Sequence, residues 1–180
     1  MRIITKDECF TLLQTAEQPS HKALISTLWN TGHRISEIIL LKRSDIWYDD
    51  EWLYFRFKVL KRGRDKITGI PKEFIHTIKI PVKASFIEYI KDWIDSCTEE
   101  LVFDFTRQYA NRIIAKLCKD NNIEHIHAHD FRHTLATRLA ERGANKYEME
   151  TFFGWTGWDT SSIYVKRGTA LIENIAKKID

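Results

Sequence analysis

Midway along the chain the patterning of side chains changes character. Glu51-Trp52-Leu53-Tyr54-Phe55-Arg56-Phe57-Lys58-Val59-Leu60 is dense in aromatic and β-branched residues and reads as a strand. Lys61 to Lys72 is basic, carries Gly63, Gly69 and Pro71, and reads as a loop. Phe74 to Val82, containing HTIKIPV, reads as the returning strand. A β-hairpin with a long basic tip is the expectation, and it is the only sheet predicted.

Both flanks read as helix. Thr5 is placed to cap the first helix, with Glu8 as its capping-box partner and Phe10, Leu12 and Leu13 as its apolar face. Pro19-Ser20 should break it. A second helix is expected over about 22–30, ending near Gly32, and a third over about 35–41. After the hairpin, helices are expected over about 85–95, 106–120, 130–142, 146–153, 158–164 and 169–178. The predicted fold is mostly α with a small antiparallel β-sheet, an α+β arrangement.

A length of 180 residues with 43% hydrophobic and 29% charged residues suggests one domain, two at most, with enough apolar side chains for a core. No repeat, low-complexity tract or Pro/Gly/Ser linker divides it. No apolar run reaches the roughly 18 residues of a membrane helix, and MRIITKDECF lacks the apolar segment of a signal peptide. Cys9, Cys97 and Cys118 form no C-x-x-C pair and read as reduced thiols of a cytoplasmic protein.

The net charge of +3 is too small to imply a nucleic-acid partner, but its distribution is uneven. Residues 52–83 hold nine Lys/Arg against two Asp/Glu, whereas 86–104 hold one Lys against six Asp/Glu. Two readings stand at this level: ordinary solvated faces, or a DNA-facing surface with an acidic back.

Four local patterns carry chemistry. Thr31-Gly32-His33-Arg34-Ile35-Ser36-Glu37-Ile38 sets an arginine at a helix start just after a glycine turn. His129-Asp130-Phe131-Arg132-His133-Thr134 puts a histidine and an arginine three apart, on one helix face. Phe153-Gly154-Trp155 forms a turn after a short helix, and Tyr164 follows Trp155 by nine residues. The histidines at 125, 127, 129 and 133 admit another reading, since His129 and His133 are at the i, i+4 spacing of zinc ligands. No H-E-x-x-H and no cysteine pair accompanies them.

Two arginines, a histidine and a tyrosine suit attack on a phosphodiester. Guanidinium forks match the non-bridging oxygens of a phosphate and stabilise the charge that builds there. A histidine can accept the phenol proton, a lysine can protonate the departing 5′-oxygen, and the tyrosine ester stores the bond for rejoining.

The order TGHRISE, HDFRHTLAT, FGW and IY, spread over about residues 5–170, resembles the catalytic domain of tyrosine recombinases, also called phage-type integrases. That resemblance implies Arg34 and Arg132 as the phosphate clamp, His129 as the proton-transfer histidine and Tyr164 as the nucleophile. Trp155 stands where the family usually has histidine; it can donate one N–H to a phosphate oxygen but cannot shuttle protons. Glu37 and His133 match recurrent supporting positions. The family's hairpin lysine, its general acid, is assigned to Lys61, with Lys58 as the rival; strand alternation puts these two on opposite faces. The loop between the strands is about ten residues longer than the family pattern leads one to expect. Lys58, Arg62, Arg64 and Lys66 are the expected DNA contacts.

The resemblance further implies a site-specific DNA recombinase or integrase that works through a 3′-phosphotyrosyl link. It implies no metal and no nucleotide cofactor. Double-stranded DNA is the expected partner, with self-association, as a tetramer, in the synapse; no membrane is involved, and the location is cytoplasmic and DNA-associated. Residues 1–180 are expected to form the catalytic domain alone, without the family's N-terminal clamp domain. The segment after Tyr164, with Leu171, Ile172, Ile175, Ala176 and Ile179 at helical spacing, is expected to pack on its own domain or on a neighbouring protomer. A type IB topoisomerase-like relaxase and an inactive DNA-binding or regulatory protein are the alternatives.

Overall fold

The computed structural model describes residues 2–59 and 74–155. Helix α1 (Lys6–Thr15) starts as its sequence requires: the Thr5 backbone N–H donates to Glu8 Oε2 at 2.8 Å, and the Glu8 N–H donates to Thr5 Oγ1 at 3.1 Å. Pro19 does more than interrupt. It occupies the first turn of α2 (Pro19–Thr31), where its missing N–H costs nothing, so α2 begins earlier than expected.

Helix α2 is the centre of the domain. Every residue from Ala23 to Thr31 is buried, and most of its polar side chains find partners inside, though Thr27 Oγ1 finds none among the described residues. Ser26 Oγ donates to the Phe86 carbonyl at 2.6 Å, and Asn30 Nδ2 donates to the Ser26 and Ser85 carbonyls at 3.0 Å each. Gly32, at φ +57°, ends the helix, and the short helix α3 (Ile35–Ile38) follows.

Among the described residues the sheet has three strands rather than a hairpin alone. β1 (Ile46–Tyr48), β2 (Trp52–Val59) and β3 (Phe74–Pro81) lie antiparallel in that order. β1 escapes sequence reading because three residues, Ile46-Trp47-Tyr48, are too few to show a period. β2 alternates as a half-buried strand should. Leu53, Phe55, Phe57 and Val59 face the core, and each fully buried phenylalanine contributes about 2–3 kcal/mol of apolar burial.

Helices α4 (Ile87–Ser96), α5 (Arg107–Asp120), α6 (Ala128–Glu141) and α7 (Lys146–Phe153) match the expected spans within about two residues. One core joins α1 through α6 to the sheet; a smaller cluster joins Leu135, Ala136 and Ala140 of α6 to Met149 and Phe153 of α7. The Ile4 N–H donates to Thr134 Oγ1 at 2.9 Å, tying the chain start to α6. None of the described helices is long and apolar enough to cross a membrane. The expected basic loop and the two helices expected after Trp155 lie outside the described residues.

Candidate active site

The glycine turn and α3 aim Arg34. Arg34 occupies the N-cap of α3, in extended backbone. Glu37, three residues on and 1% exposed, takes both of its handles: the Arg34 backbone N–H donates to Oε2 at 3.1 Å and Nη1 donates to Oε1 at 2.9 Å. One buried carboxylate thus starts the helix and orients the guanidinium, which stays partly exposed.

Arg132 is set from the opposite side. The His127 N–H donates to Asp130 Oδ2 at 2.9 Å, so Asp130 secures the start of α6. One turn along, Arg132 points inward and is 3% exposed. Its Nη1 donates to the Gly32 carbonyl at 2.9 Å and its Nη2 to the Phe153 carbonyl at 3.3 Å. The guanidinium carbon lies 4.9 Å from the Phe153 ring centre and 5.2 Å from that of Trp155. Carbonyl dipoles and π-faces compensate a charge that burial would otherwise penalise.

Trp155 follows Gly154, which ends α7 in the left-handed region at φ +62°. Its backbone N–H donates to the Glu150 carbonyl at 3.0 Å, and its ring stacks on Phe153 at 4.6 Å. His129 is exposed on the first turn of α6. Partial burial, and then the positive charges of Arg132 and Arg34, hold its imidazole below the usual histidine range. That direction favours the neutral ring, whose free nitrogen can accept a proton.

Arg34 and His129 share a cleft of about 680 Å³. Its other walls include Arg107, Asn111 and Arg112 of α5 and His125 and His127 before α6. The His125 and His127 rings meet edge to face at 4.4 Å. His129 lies in this cleft whereas His133 is buried at 6% exposure, so the i, i+4 pair sits in two different environments. Among the described residues no three His, Cys, Asp or Glu side chains cluster as metal ligands would.

The family model of the Phage integrase family matches residues 2–170. This chain belongs to the phage integrase family. Two curated relatives show sequence likeness at low identity. Tyrosine recombinase XerA of Pyrococcus horikoshii is 23% identical over 182 residues, covering 97% of this chain and 60% of that protein. Tyrosine recombinase XerC of Corynebacterium glutamicum is 25% identical over 154 residues, covering 79% of this chain and 45% of that protein. This integrase-family chain therefore spans roughly half the length of the curated relatives it matches. Among solved structures, the XerH site-specific recombinase bound to difH in a pre-cleavage complex superposes with a TM-score of 0.72 at 18% identity, covering 97% of this chain and 53% of that one. The catalytic domain of bacteriophage HP1 integrase gives 0.64 at 16% identity, covering 98% and 94%. These likenesses show that the fold is the integrase-family catalytic fold.

Of the site residues expected from sequence, Arg34, His129, Arg132 and Trp155 gather around the Gly32 turn. Lys61, Arg62, Arg64, Lys66 and Tyr164 lie outside the described residues. Lys58 is exposed, paired with Ile75, on the face of the sheet opposite Phe57 and His76. The cleft residues of α5 were not singled out by sequence reading. The available signal was weak: Arg107 and Asn111 recur at i, i+4, away from the buried Ala110, Ile113, Ile114 and Leu117. Nothing in that spacing says that they face Arg34.

Proposed function

We propose that this chain is the catalytic part of a site-specific DNA recombinase that cuts and rejoins strands through Tyr164. The observation that carries the reading is that Arg34 and His129 open onto one cleft walled by Arg107 and Arg112, while Arg132 is anchored on the Gly32 carbonyl two residues before Arg34. Such a cleft suits a phosphate of a duplex, and XerH, a structural neighbour, is described in complex with difH.

In this reading the scissile phosphate sits against Arg34 and Arg132. The Tyr164 oxygen attacks phosphorus and its proton passes toward the neutral His129. The new bond is phosphorus to tyrosine oxygen; the bond that breaks is phosphorus to 5′-oxygen, and Lys61 supplies the proton that oxygen needs. Trp155 donates its ring N–H to a non-bridging oxygen. The guanidiniums supply the positive charge that a metal supplies elsewhere, and the products are a 3′-phosphotyrosyl link and a free 5′-hydroxyl. Strand exchange then takes a synapse of about four protomers, the stoichiometry the family resemblance implies. Double-stranded DNA is the partner, and the protein works where that DNA lies.

Lys61 takes the acid role over Lys58 because Lys58 stands on the face of β2 turned away from the His33–Phe57–His76 stack, which lies beside Arg132. The test is trapping on a nicked suicide duplex drawn from DNA flanking the coding region. Wild type is expected to form a covalent adduct that Tyr164→Phe abolishes. Lys61→Ala should slow it by about a hundredfold or more, and Lys58→Ala by only a few-fold. An adduct persisting in Tyr164→Phe overturns the reading.

A further inference from the structure

Behind the arginine clamp, the sheet and α7 are joined by a pair of histidines that the proposed chemistry does not use. His33 sits directly after the Gly32 turn, 1% exposed, with its ring stacked on Phe57 of β2 at 3.8 Å and 11°. His76 of β3, the register partner of Phe57, stacks on the same His33 at 5.7 Å. His76 then reaches across to α7, where its Nε2 donates to the Phe152 carbonyl at 3.0 Å. A carbonyl oxygen only accepts, so Nε2 carries a hydrogen. The fit is close on both sides: a Cβ placed on Gly154 would touch the His76 ring at 3.6 Å, and Gly154 is already held in the left-handed region.

The next residue along α7 completes the link. The Phe153 carbonyl accepts from Arg132 Nη2, and the Phe153 and Trp155 rings lie against the Arg132 guanidinium. An unbroken series of contacts therefore runs from β2 and β3 through His33 and His76 to Phe152, Phe153, Trp155 and Arg132. The two strands also bracket residues 60–73, the basic segment between them.

We propose that His76 is a positioning residue: its hydrogen bond to the Phe152 carbonyl locks the end of α7 to the β2–β3 pair, so that Arg132 and Trp155 keep their place relative to the two strands. The catalytic consequence rests on the recombinase reading above; the mechanical one does not. A ring without a donor, as in His76→Phe, keeps the stack on His33 and loses only the lock. A donor without the ring, as in His76→Gln, restores the lock and not the stack.

The experiment uses the full chain. Hydrogen–deuterium exchange of residues 149–155 in the free protein reads the lock, with α2 as the reference for global stability. Single-turnover cleavage of the suicide duplex at saturating DNA, with Kd measured alongside, reads the consequence. His76→Phe is expected to speed exchange at 149–155 by about fivefold or more while α2 stays as in wild type. It should slow cleavage by about tenfold or more with Kd within about twofold, and His76→Gln should recover most of both losses. Unchanged exchange at 149–155, an equal acceleration in α2, or a loss confined to Kd overturns the proposal. If wild type forms no adduct on any duplex, the recombinase reading has failed instead, and the exchange arm alone decides the lock.

Discussion

The guanidinium of Arg132 donates to the carbonyl oxygen of Gly32 at 2.9 Å, across 100 residues of sequence. The turn that ends α2 and aims Arg34 is thereby the same turn that anchors the second arginine. Arg132 is thus held by a backbone atom, which does not change rotamer, whereas Arg34 is held by the Glu37 side chain.

This makes Gly32 the most sensitive small residue of the site. Its φ of +57° disfavours any side chain, and a Cβ there would meet Phe153 Cε1 at 2.9 Å and the Arg132 Cα at 3.3 Å. Gly32→Ala is expected to lower stability by about 1–3 kcal/mol and to slow cleavage more than it weakens DNA binding. Chemical denaturation with parallel cleavage and binding measurements checks it; a variant with wild-type cleavage would mean the turn does not set the clamp.

Glu37 is expected to act through Arg34. Glu37→Ala removes both acceptors and should cost about 1–3 kcal/mol of stability, with cleavage slowed by about ten- to a hundredfold. Glu37→Gln keeps one acceptor oxygen and should fall between. Equal cleavage rates for Glu37→Ala and wild type would show that something else orients Arg34.

His33 should make the protein lose stability in acid. Burial, reinforced by the Arg132 charge, pushes its imidazole down to about 3, against about 6.5 in an unfolded chain. The unfolded state therefore binds the proton first. The contribution is fully present above about pH 6.5 and drains away as pH falls toward 3, with a slope of about 1.4 kcal/mol per pH unit for one proton. Partial burial depresses His129 and His21 as well, and each adds in the same direction. His33→Phe keeps the stack on Phe57 and should flatten the slope by about that one-proton amount between pH 5 and 6. Denaturant midpoints across pH settle it, and parallel curves for variant and wild type would count against it.

The α5 wall of the cleft predicts a phosphate contribution that carries no sequence information. Arg107→Gln and Arg112→Gln should each weaken DNA binding equally on all duplexes and reduce the slope of log K against log salt by about 1. Salt titrations on specific and random duplexes measure this; loss on one sequence alone would assign these residues to base reading instead.

Much of this architecture was legible because its signals are local. The Thr5–Glu8 box, the alternation of Leu53, Phe55 and Phe57, and the apolar stripe of α5 each declare an element within a few residues. The arginine and histidine motifs at 31–38 and 129–134 were legible for the same reason, as was the glycine turn at 154. Strand β1 is not, being too short to show a period, and α2 starts at Pro19, ahead of the expected residue 22, because proline both ends one helix and begins another.

What only the tertiary structure decided are the relationships between segments far apart in the chain. No pattern in the sequence says that the Gly32 carbonyl meets Arg132, that His76 reaches Phe152, or that Arg107 and Arg112 look across a cleft at Arg34. The physical reason is that side-chain periodicity reports which face of an element is apolar, and so which elements form, but not which element covers that face. Burial chose the partners: α2 is enclosed from Ala23 to Thr31, its apolar side chains in the core and its Ser26 and Asn30 bonded to the 85–86 backbone, and the elements packed around it brought the two arginines and the histidine to one turn.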